Sequence, residues 1–98
     1  MLRIALLPGA EIDMLESYDW YAERSARAAT RFESAIEASY QQILKSPMTW
    51  PMADARHHFF KVRKYPFSVI CRIEPDELLD VAIAHSSREE GYSQTRVP

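Results

Sequence analysis

The chain is poor in the residues that several classes of protein need. It has one cysteine, Cys71, so no intrachain disulfide can form, which suits the reducing cytoplasm where we expect the protein to lie. With two glycines, a glycine-rich phosphate cradle is hard to build. No apolar run approaches the ~20 residues that span a bilayer, and the N-terminus lacks the apolar segment of a signal peptide. We therefore predict no membrane partner and no cofactor.

What the chain does contain is an ordinary share of apolar and charged residues, unevenly distributed. Its 98 residues, 47% apolar and 27% charged, predict one globular domain over residues 1–98. The acids of the first part are Glu11, Asp13, Glu16, Asp19, Glu23, Glu33 and Glu37. Residues 55–73 have no acid, and their basic side chains are Arg56, Lys61, Arg63, Lys64 and Arg72. With a net charge of −2, this pattern indicates a local basic patch without long-range attraction to nucleic acid.

Hydrophobic periodicity predicts a strand followed by two helices. Residues 2–7 are an apolar run ended by Pro8-Gly9, and we interpret them as a first strand. The predicted buried face of the first helix is Ile12, Leu15, Tyr18 and Ala22. Ser25 is a suitable N-cap for the second helix, which stops before Pro47. The predicted buried stripe of that helix is Ala29, Phe32, Ile36, Tyr40 and Ile43. So short a link makes the two helices an antiparallel hairpin.

The second half of the chain predicts a loop and three strands. Residues 46–52 hold two prolines, and we expect Trp50 with Met48 and Met52 to fold back over the core. A period of two then predicts strands near 57–63, 67–74 and 78–86. The order β-α-α-β-β-β predicts an α+β fold, with the helical hairpin on one face of a mostly antiparallel four-stranded sheet.

Register of the last two strands follows from their apolar alternation. Joining the apolar faces predicts four opposed pairs: Ile73 with Leu79, Cys71 with Val81, Phe67 with His85, and Arg72 with Asp80 on the outer side. A three-residue turn, Pro75-Asp76-Glu77, then connects the strands.

The polar residues near the end of the chain allow more than one interpretation. His85 fits a general base, because imidazole titrates near neutral pH, but also a strand-end histidine packed on Phe67. Arg88 and Tyr92 fit a phosphate site, an anchor for the tail or a partner contact. The basic residues Lys61, Arg63 and Lys64 fit either a solvated strand edge or the binding of an anionic partner.

Other reactive residue types favour structural roles. His57 and His58 are adjacent, so on a strand they point to opposite faces and do not share a metal; we predict no metal site. Cys71 faces the core in the predicted register, which favours a buried, inert thiol. Trp20 and Tyr21 fit packing residues, or one of them an exposed anchor for a partner.

Four segments in this order resemble one family. They are residues 20–25 (Trp-Tyr-Ala-Glu-Arg-Ser), 28–36 with Phe32 and Ile36, 65–72 (Tyr-Pro-Phe-Ser-Val-Ile-Cys-Arg), and 84–92 with His85, Arg88 and Tyr92. The chain resembles the RelE/ParE superfamily of bacterial toxins from type II toxin–antitoxin (plasmid stabilisation) modules. The resemblance covers nearly the whole chain and implies a toxin held inactive by a cognate antitoxin.

The resemblance leaves the target to be decided between two branches. The ParE-like branch poisons DNA gyrase; the RelE-like branch is a metal-free ribonuclease that cuts mRNA on the ribosome. If the chain were such a ribonuclease, its catalytic candidates would be Lys61, Arg63, Lys64, Arg88 and Tyr92. Ser68 and Ser86-Ser87 stand where that branch has arginines, and losing one such charge costs ~10²–10³ in rate.

We therefore favour the ParE-like branch and a binding protein over an enzyme. Its expected partners are an antitoxin and DNA gyrase, with the ribosome and mRNA as the alternative, and it can form a homodimer or a toxin–antitoxin hetero-oligomer. A third interpretation is a non-toxic relic that still binds a partner. The expected partner-binding residues are Lys61, Arg63, Lys64, His85, Arg88 and Tyr92.

Overall fold

The computed structural model describes residues 3–86, which form two helices and four strands in the predicted order. The elements are β1 (Arg3–Leu6), α1 (Pro8–Ala22), α2 (Ala26–Lys45), β2 (His58–Lys61), β3 (Phe67–Ile73) and β4 (Glu77–His85). The strands make one mixed sheet in the order β1-β4-β3-β2. Here β1 runs parallel to β4, and the other neighbours are antiparallel. The predicted α+β architecture is confirmed. No helix within residues 3–86 is long and apolar enough to cross a bilayer.

Helix α2 supplies the main apolar face that covers the sheet. Its buried side chains are Ala29, Phe32, Ile36, Ser39, Tyr40 and Ile43, which include the whole predicted stripe. They pack against buried residues of β3 and β4, among them Val69, Cys71 and Ile83. Because these positions recur every three or four residues, one side of the helix is removed from water along its length.

Ser25 caps α2 as predicted, since its Oγ accepts a hydrogen bond from the Ala28 N–H at 3.0 Å. Replacing Ser25 with alanine leaves that N–H without its acceptor, and we expect it to lower the free energy of unfolding by about 1 kcal/mol. Ser25→Asp restores an acceptor at the same position and should recover most of the loss. Equal destabilisation of both variants in urea unfolding would contradict this role for Ser25.

The predicted buried face of α1 is wrong. Ile12 and Leu15 are exposed, at 52% and 64% of their full surface. The helix instead turns Ala10 and Asp13 into the protein, with Met14, Ser17 and Tyr21 half-buried on the same side. Counted from Ala10, the other inward positions follow after three, four, seven and eleven residues, so they share one side of the helix. The apolar side chains of α1, however, are found on both its buried and its exposed side.

Asp13 explains why a polar side of α1 faces the sheet. Strand β1 pairs with β4 only as far as Leu6 and Asp80, so the backbone of β4 beyond this point has no partner strand on that side. Asp13 Oδ2 accepts the Ile83 N–H at 2.9 Å and thereby satisfies a buried donor of β4. An unpaired buried N–H would cost about 1–3 kcal/mol, which fixes the rotation of α1.

A β-bulge in β4 changes the predicted register. The pairs from Phe67–His85 to Ile70–Ala82 agree with the prediction. The register then shifts between Ile70 and Cys71, and three pairs follow: Cys71 with Asp80, Arg72 with Leu79, and Ile73 with Leu78. The extra residue is therefore Val81, and the predicted pairs of Ile73, Cys71 and Arg72 are each wrong by one residue.

The shift reverses the roles expected of Arg72 and Asp80. Asp80 is 0% exposed and faces α2, so it is not an outer-side partner of Arg72. Arg72 instead donates from Nε to Glu74 Oε1 at 3.0 Å, next to the turn. A prediction that alternates inward and outward residues strictly along β4 places Asp80 on the outer face, so it misses the buried aspartate opposite Cys71.

Of the three side chains expected to fold back over the core, Trp50 alone packs against it. The Trp50 ring packs edge-on against Phe60 at 4.7 Å between centroids. Met48 and Met52, expected to fold back with it, are 75% and 50% exposed. That part of the prediction is wrong.

Candidate partner-binding surfaces

The basic side chains expected to bind a partner lie at the end of β2 and in the following turn. Lys61 is the last residue of β2, and Arg63 and Lys64 lie in the turn before β3. All three are exposed. We call these three residues the basic turn. Neither of the two ion pairs found within residues 3–86 involves them. Their charges are therefore available to a partner.

Lys64 adopts an unusual backbone conformation in the basic turn. Its φ of 70° makes it the one non-glycine residue with positive φ between residues 3 and 86. A side chain with a Cβ in this left-handed region costs roughly 1 kcal/mol, which glycine would avoid. The turn is held by two hydrogen bonds, from Val62 N–H to Phe67 O at 2.9 Å and from Tyr65 N–H to Val62 O at 3.3 Å. Its tip is thus rigidly placed.

An aromatic cluster anchors the turn to the helices. The Tyr65 ring meets Tyr21 of α1 and Phe32 of α2 edge-on, both at 5.7 Å between centroids. Tyr21 stacks on Phe32 at 4.9 Å, and Phe32 contacts Phe67 at 5.3 Å. Because Val62 is fully buried as well, the backbone of the basic turn is held on a packed base while its cationic side chains stay exposed.

An open groove of about 550 Å³ adjoins this cluster, between α1 and the start of β3. We call it the aromatic groove. Its lining residues are Asp13, Glu16, Ser17, Trp20, Tyr21, Pro66, Phe67 and His85. Since Pro66 comes two residues after Lys64, the groove and the basic turn are neighbours. The groove is aromatic and acidic, whereas the turn is basic.

Trp20 forms an exposed part of the groove wall. It is 51% exposed, and the Arg24 guanidinium lies over its ring at 3.3 Å from the centroid. Arg24 Nη1 also donates to the Trp20 carbonyl at 2.6 Å. Tyr21 is a packing residue, so of the two aromatic residues Trp20 is the exposed one.

His85 lies where the sequence predicts it, at the end of β4 opposite Phe67. The two rings meet edge-on at 5.2 Å between centroids and 88° between planes. His85 is half-buried, lines the aromatic groove and has a packing role. Arg88 and Tyr92, the other expected site residues, lie outside the described residues.

The sheet face away from the helices brings few charges together. Lys61 pairs with Ser68, and Ser68 pairs with Ala84, so these three positions form a row across β2, β3 and β4. This is the row in which Ser68 replaces an expected arginine. Within it, Lys61 is the one cation, and Arg63 and Lys64 lie beyond the row in the turn. The described residues therefore do not assemble a cationic pocket on this face.

A second open groove, of about 440 Å³, lies between α1, α2 and β1. We call it the helical groove. Its lining residues are Leu6, Met14, Glu33, Ser34, Ile36, Glu37 and Tyr40. Ile12 and Leu15 project from the exposed side of α1, and we call this pair the α1 crest. The helical groove is thus lined by both apolar and glutamate side chains, and the α1 crest is not among its lining residues.

A buried carboxyl lies beneath the helical groove. Tyr40 Oη donates to Asp80 Oδ2 at 2.5 Å, while Asp80 Oδ1 accepts no hydrogen bond from the described residues. Burial, with a smaller contribution from nearby Asp13, raises the pKa of Asp80 to about 7, although the hydrogen bonds from Tyr40 and the Ala82 N–H act to lower it. Burial and the negative charge of Asp80 also raise the pKa of Tyr40. The Asp80 carboxyl therefore exchanges its proton nearer to neutral pH than an exposed aspartate does.

The remaining reactive side chains are held in structural contacts. Burial, reinforced by Asp80, raises the pKa of the Cys71 thiol to about 12, so it is a poor nucleophile at neutral pH. His57 Nδ1 lies 2.8 Å from Asp54 Oδ1. Burial pushes the pKa of Asp54 upward, but hydrogen bonds from the Arg56 N–H and from His57 outweigh it and lower the pKa to about 2. Between residues 3 and 86, no three His, Cys, Asp or Glu side chains are arranged to hold a metal.

Sequence reasoning missed the α1 crest and the helical groove. One signal was present, because the two exposed apolar residues are three apart and flanked by Glu11 and Glu16. That pattern was interpreted as a core face. The burial of Asp13 shows that α1 is rotated so that Ile12 and Leu15 face outward.

Comparison with known proteins agrees with this architecture. Residues 4–90 match the model of a family described as the ParE toxin of the type II toxin–antitoxin system parDE. Among solved structures, the chain is similar to a chain of a chromosomal ParDE TA system from P. aeruginosa, with a TM-score of 0.75. The two share 16% identity, over 87% of this chain and 96% of that one, so this likeness concerns the fold. Curated protein sequences give no significant match.

Proposed function

Because this chain belongs to the ParE toxin family of type II toxin–antitoxin systems, we propose that a cognate antitoxin neutralises it and that its target is DNA gyrase. The observation that carries the proposal is the exposed apolar side of α1. Ile12 and Leu15 cost free energy when left in water, and neighbouring exposed apolar residues are typical of a protein-binding surface. Both proposed partners lie in the cytoplasm.

The antitoxin segment that fits the helical groove is an amphipathic helix. The groove floor is apolar, with Leu6, Met14 and Ile36, and its rim carries Glu33 and Glu37. A helix that places apolar side chains on the floor and lysine or arginine against the rim complements this surface. The α1 crest extends the apolar contact along the outside of α1.

Gyrase is supported over the ribosome as target by the charges of the sheet. A ribonuclease of this fold needs cations around a phosphate, and the row of Lys61, Ser68 and Ala84 offers one. A net charge of −2 also opposes docking into ribosomal RNA, because such affinity comes from neutralising phosphates. A binding protein that disables a protein target fits these observations better.

Expression of the chain in a bacterium tests the proposal. We expect growth arrest with loss of negative supercoiling and double-strand DNA breaks, reversed by the antitoxin encoded beside the gene. Codon-phased mRNA cleavage with intact supercoiling would show that the target is the ribosome and not gyrase. Normal growth at every expression level would favour a non-toxic relic of the fold.

A further inference from the structure

The basic turn combines a strained backbone with exposed positive charge. Lys64 holds a left-handed backbone conformation in which glycine would be more stable. Strain of this kind persists where the surrounding structure imposes it, and it concentrates at functional sites. Here it is imposed by the buried Val62 and by the Tyr65 ring packed between the helices.

The charge of the basic turn is also unbalanced. Lys61, Arg63 and Lys64 are exposed, and neither ion pair of residues 3–86 involves them. Three like charges within four residues repel one another, so the turn is electrostatically unfavourable in the free protein. An acidic partner would relieve that repulsion, and the packed turn would lose little backbone freedom on binding.

We propose that the basic turn is the surface through which this toxin binds gyrase, and that it contacts an acidic patch of that protein. This inference rests on the proposed function, because it names the contact for the same target. The turn thereby acquires a role separate from the helical groove, none of whose lining residues belongs to it.

The neighbouring charges favour a protein partner over nucleic acid. The aromatic groove next to the turn carries Asp13 and Glu16, and a continuous phosphate backbone crossing from turn to groove would meet them. Three cations neutralise about three phosphates at most, which gives weak and strongly salt-dependent binding. A protein surface offers an acidic patch for the turn and apolar or basic side chains for the groove with Trp20.

The same contrast distinguishes the target from the antitoxin. The helical groove and the α1 crest are apolar with a glutamate rim, and they select an apolar and basic segment. The basic turn selects the opposite charge. Two surfaces of opposite preference on one small protein are the arrangement expected for two different partners.

Lys64→Gly is the variant that separates function from folding. Removing the strain should raise Tm by about 3–6 °C, while removing the charge should raise the concentration that half-inhibits gyrase supercoiling about 5-fold. The triple variant Lys61→Ala, Arg63→Ala, Lys64→Ala should raise that concentration at least 30-fold. Arg56→Ala, an exposed arginine outside the turn, is the matched control and should inhibit like the wild type.

The assay uses the full chain, purified gyrase and relaxed plasmid, with antitoxin affinity and duplex-DNA binding measured on the same proteins. We expect antitoxin affinity of the turn variants to stay within 2-fold of wild type. Wild-type inhibition retained by the triple variant would overturn the role of the turn alone. Loss of duplex-DNA binding without loss of gyrase inhibition would also overturn it. A wild-type chain that leaves gyrase active would overturn the proposed target and this inference together.

Discussion

Replacing Asp80 with asparagine is expected to remove a large part of the pH dependence of stability between pH 5 and 8. In the unfolded chain an aspartate releases its proton near pH ~3.9, whereas folded Asp80 keeps it to about pH 7. Between these values the folded state binds more protons than the unfolded state, so the free energy of unfolding falls as pH rises. The raised pKa of Asp80 should therefore lower the free energy of unfolding by about 2–3 kcal/mol between pH 5 and pH 8.

The measurement is urea unfolding of wild type and Asp80→Asn at half-unit pH steps. Asparagine keeps the oxygen that accepts from Tyr40, and it cannot ionise, so the variant should gain stability on the wild type as pH rises. Tyr40→Phe removes a hydrogen bond that favours the carboxylate form of Asp80. In this variant the fall in stability should therefore occur at a higher pH than in the wild type. Parallel pH profiles for wild type and Asp80→Asn would contradict the account of this buried carboxyl.

Placing a glutamate on the α1 crest is expected to abolish protection by the antitoxin. Leu15→Glu, or Ile12→Glu, puts a new charge in place of an exposed apolar side chain of α1. If the crest is an apolar anchor, the antitoxin should lose at least 100-fold in affinity, or about 3 kcal/mol. Stability should change by less than about 0.5 kcal/mol, because neither side chain is buried.

The matched control is Ala38→Glu, which adds the same charge at an exposed position of α2 that does not line the helical groove. It should leave antitoxin affinity within 2-fold of the wild type. Calorimetric titration measures the affinities, and co-expression in a bacterium shows whether growth is still protected. Unchanged affinity in Leu15→Glu would place the antitoxin elsewhere.

The helix α2 shows what the sequence predicts well. Its Ser25 cap, its stripe from Ala29 to Ile43 and its end before Pro47 all agree with the structure. These features are local: capping needs a hydroxyl at one position, and burial follows a repeat of three and four residues. The element order and the first four pairs of β3 with β4 followed from patterns of the same kind.

The errors come from interactions between residues distant in sequence. Asp13 faces the sheet because it accepts the Ile83 N–H, seventy residues away, and an isolated α1 pattern gives no sign of that bond. The bulge at Val81 adds one residue to β4 relative to β3, and the apolar residues of β4 give no sign of it. As a result Asp80, expected on the outer side, is buried against Tyr40.

The positions of several candidate residues were predicted correctly. Lys61, Arg63 and Lys64 lie together and exposed, as a basic run at a strand end suggests, and His85 packs on Phe67 as one of its two interpretations requires. The left-handed conformation of Lys64 could not be predicted, because the buried residues on either side of the turn impose it. The helical groove depends on the rotation of α1 and was missed for the same reason as Asp13.

The most direct test of the central claim is a supercoiling assay with purified components. The full chain is titrated into DNA gyrase acting on relaxed plasmid, with and without its antitoxin, beside a ribosome reaction in which mRNA cleavage is mapped to codons. We predict that the chain blocks supercoiling, that the antitoxin restores it, and that mRNA stays intact. Uninhibited gyrase together with codon-phased cleavage of mRNA would contradict the proposal that this toxin acts by binding and inhibiting gyrase.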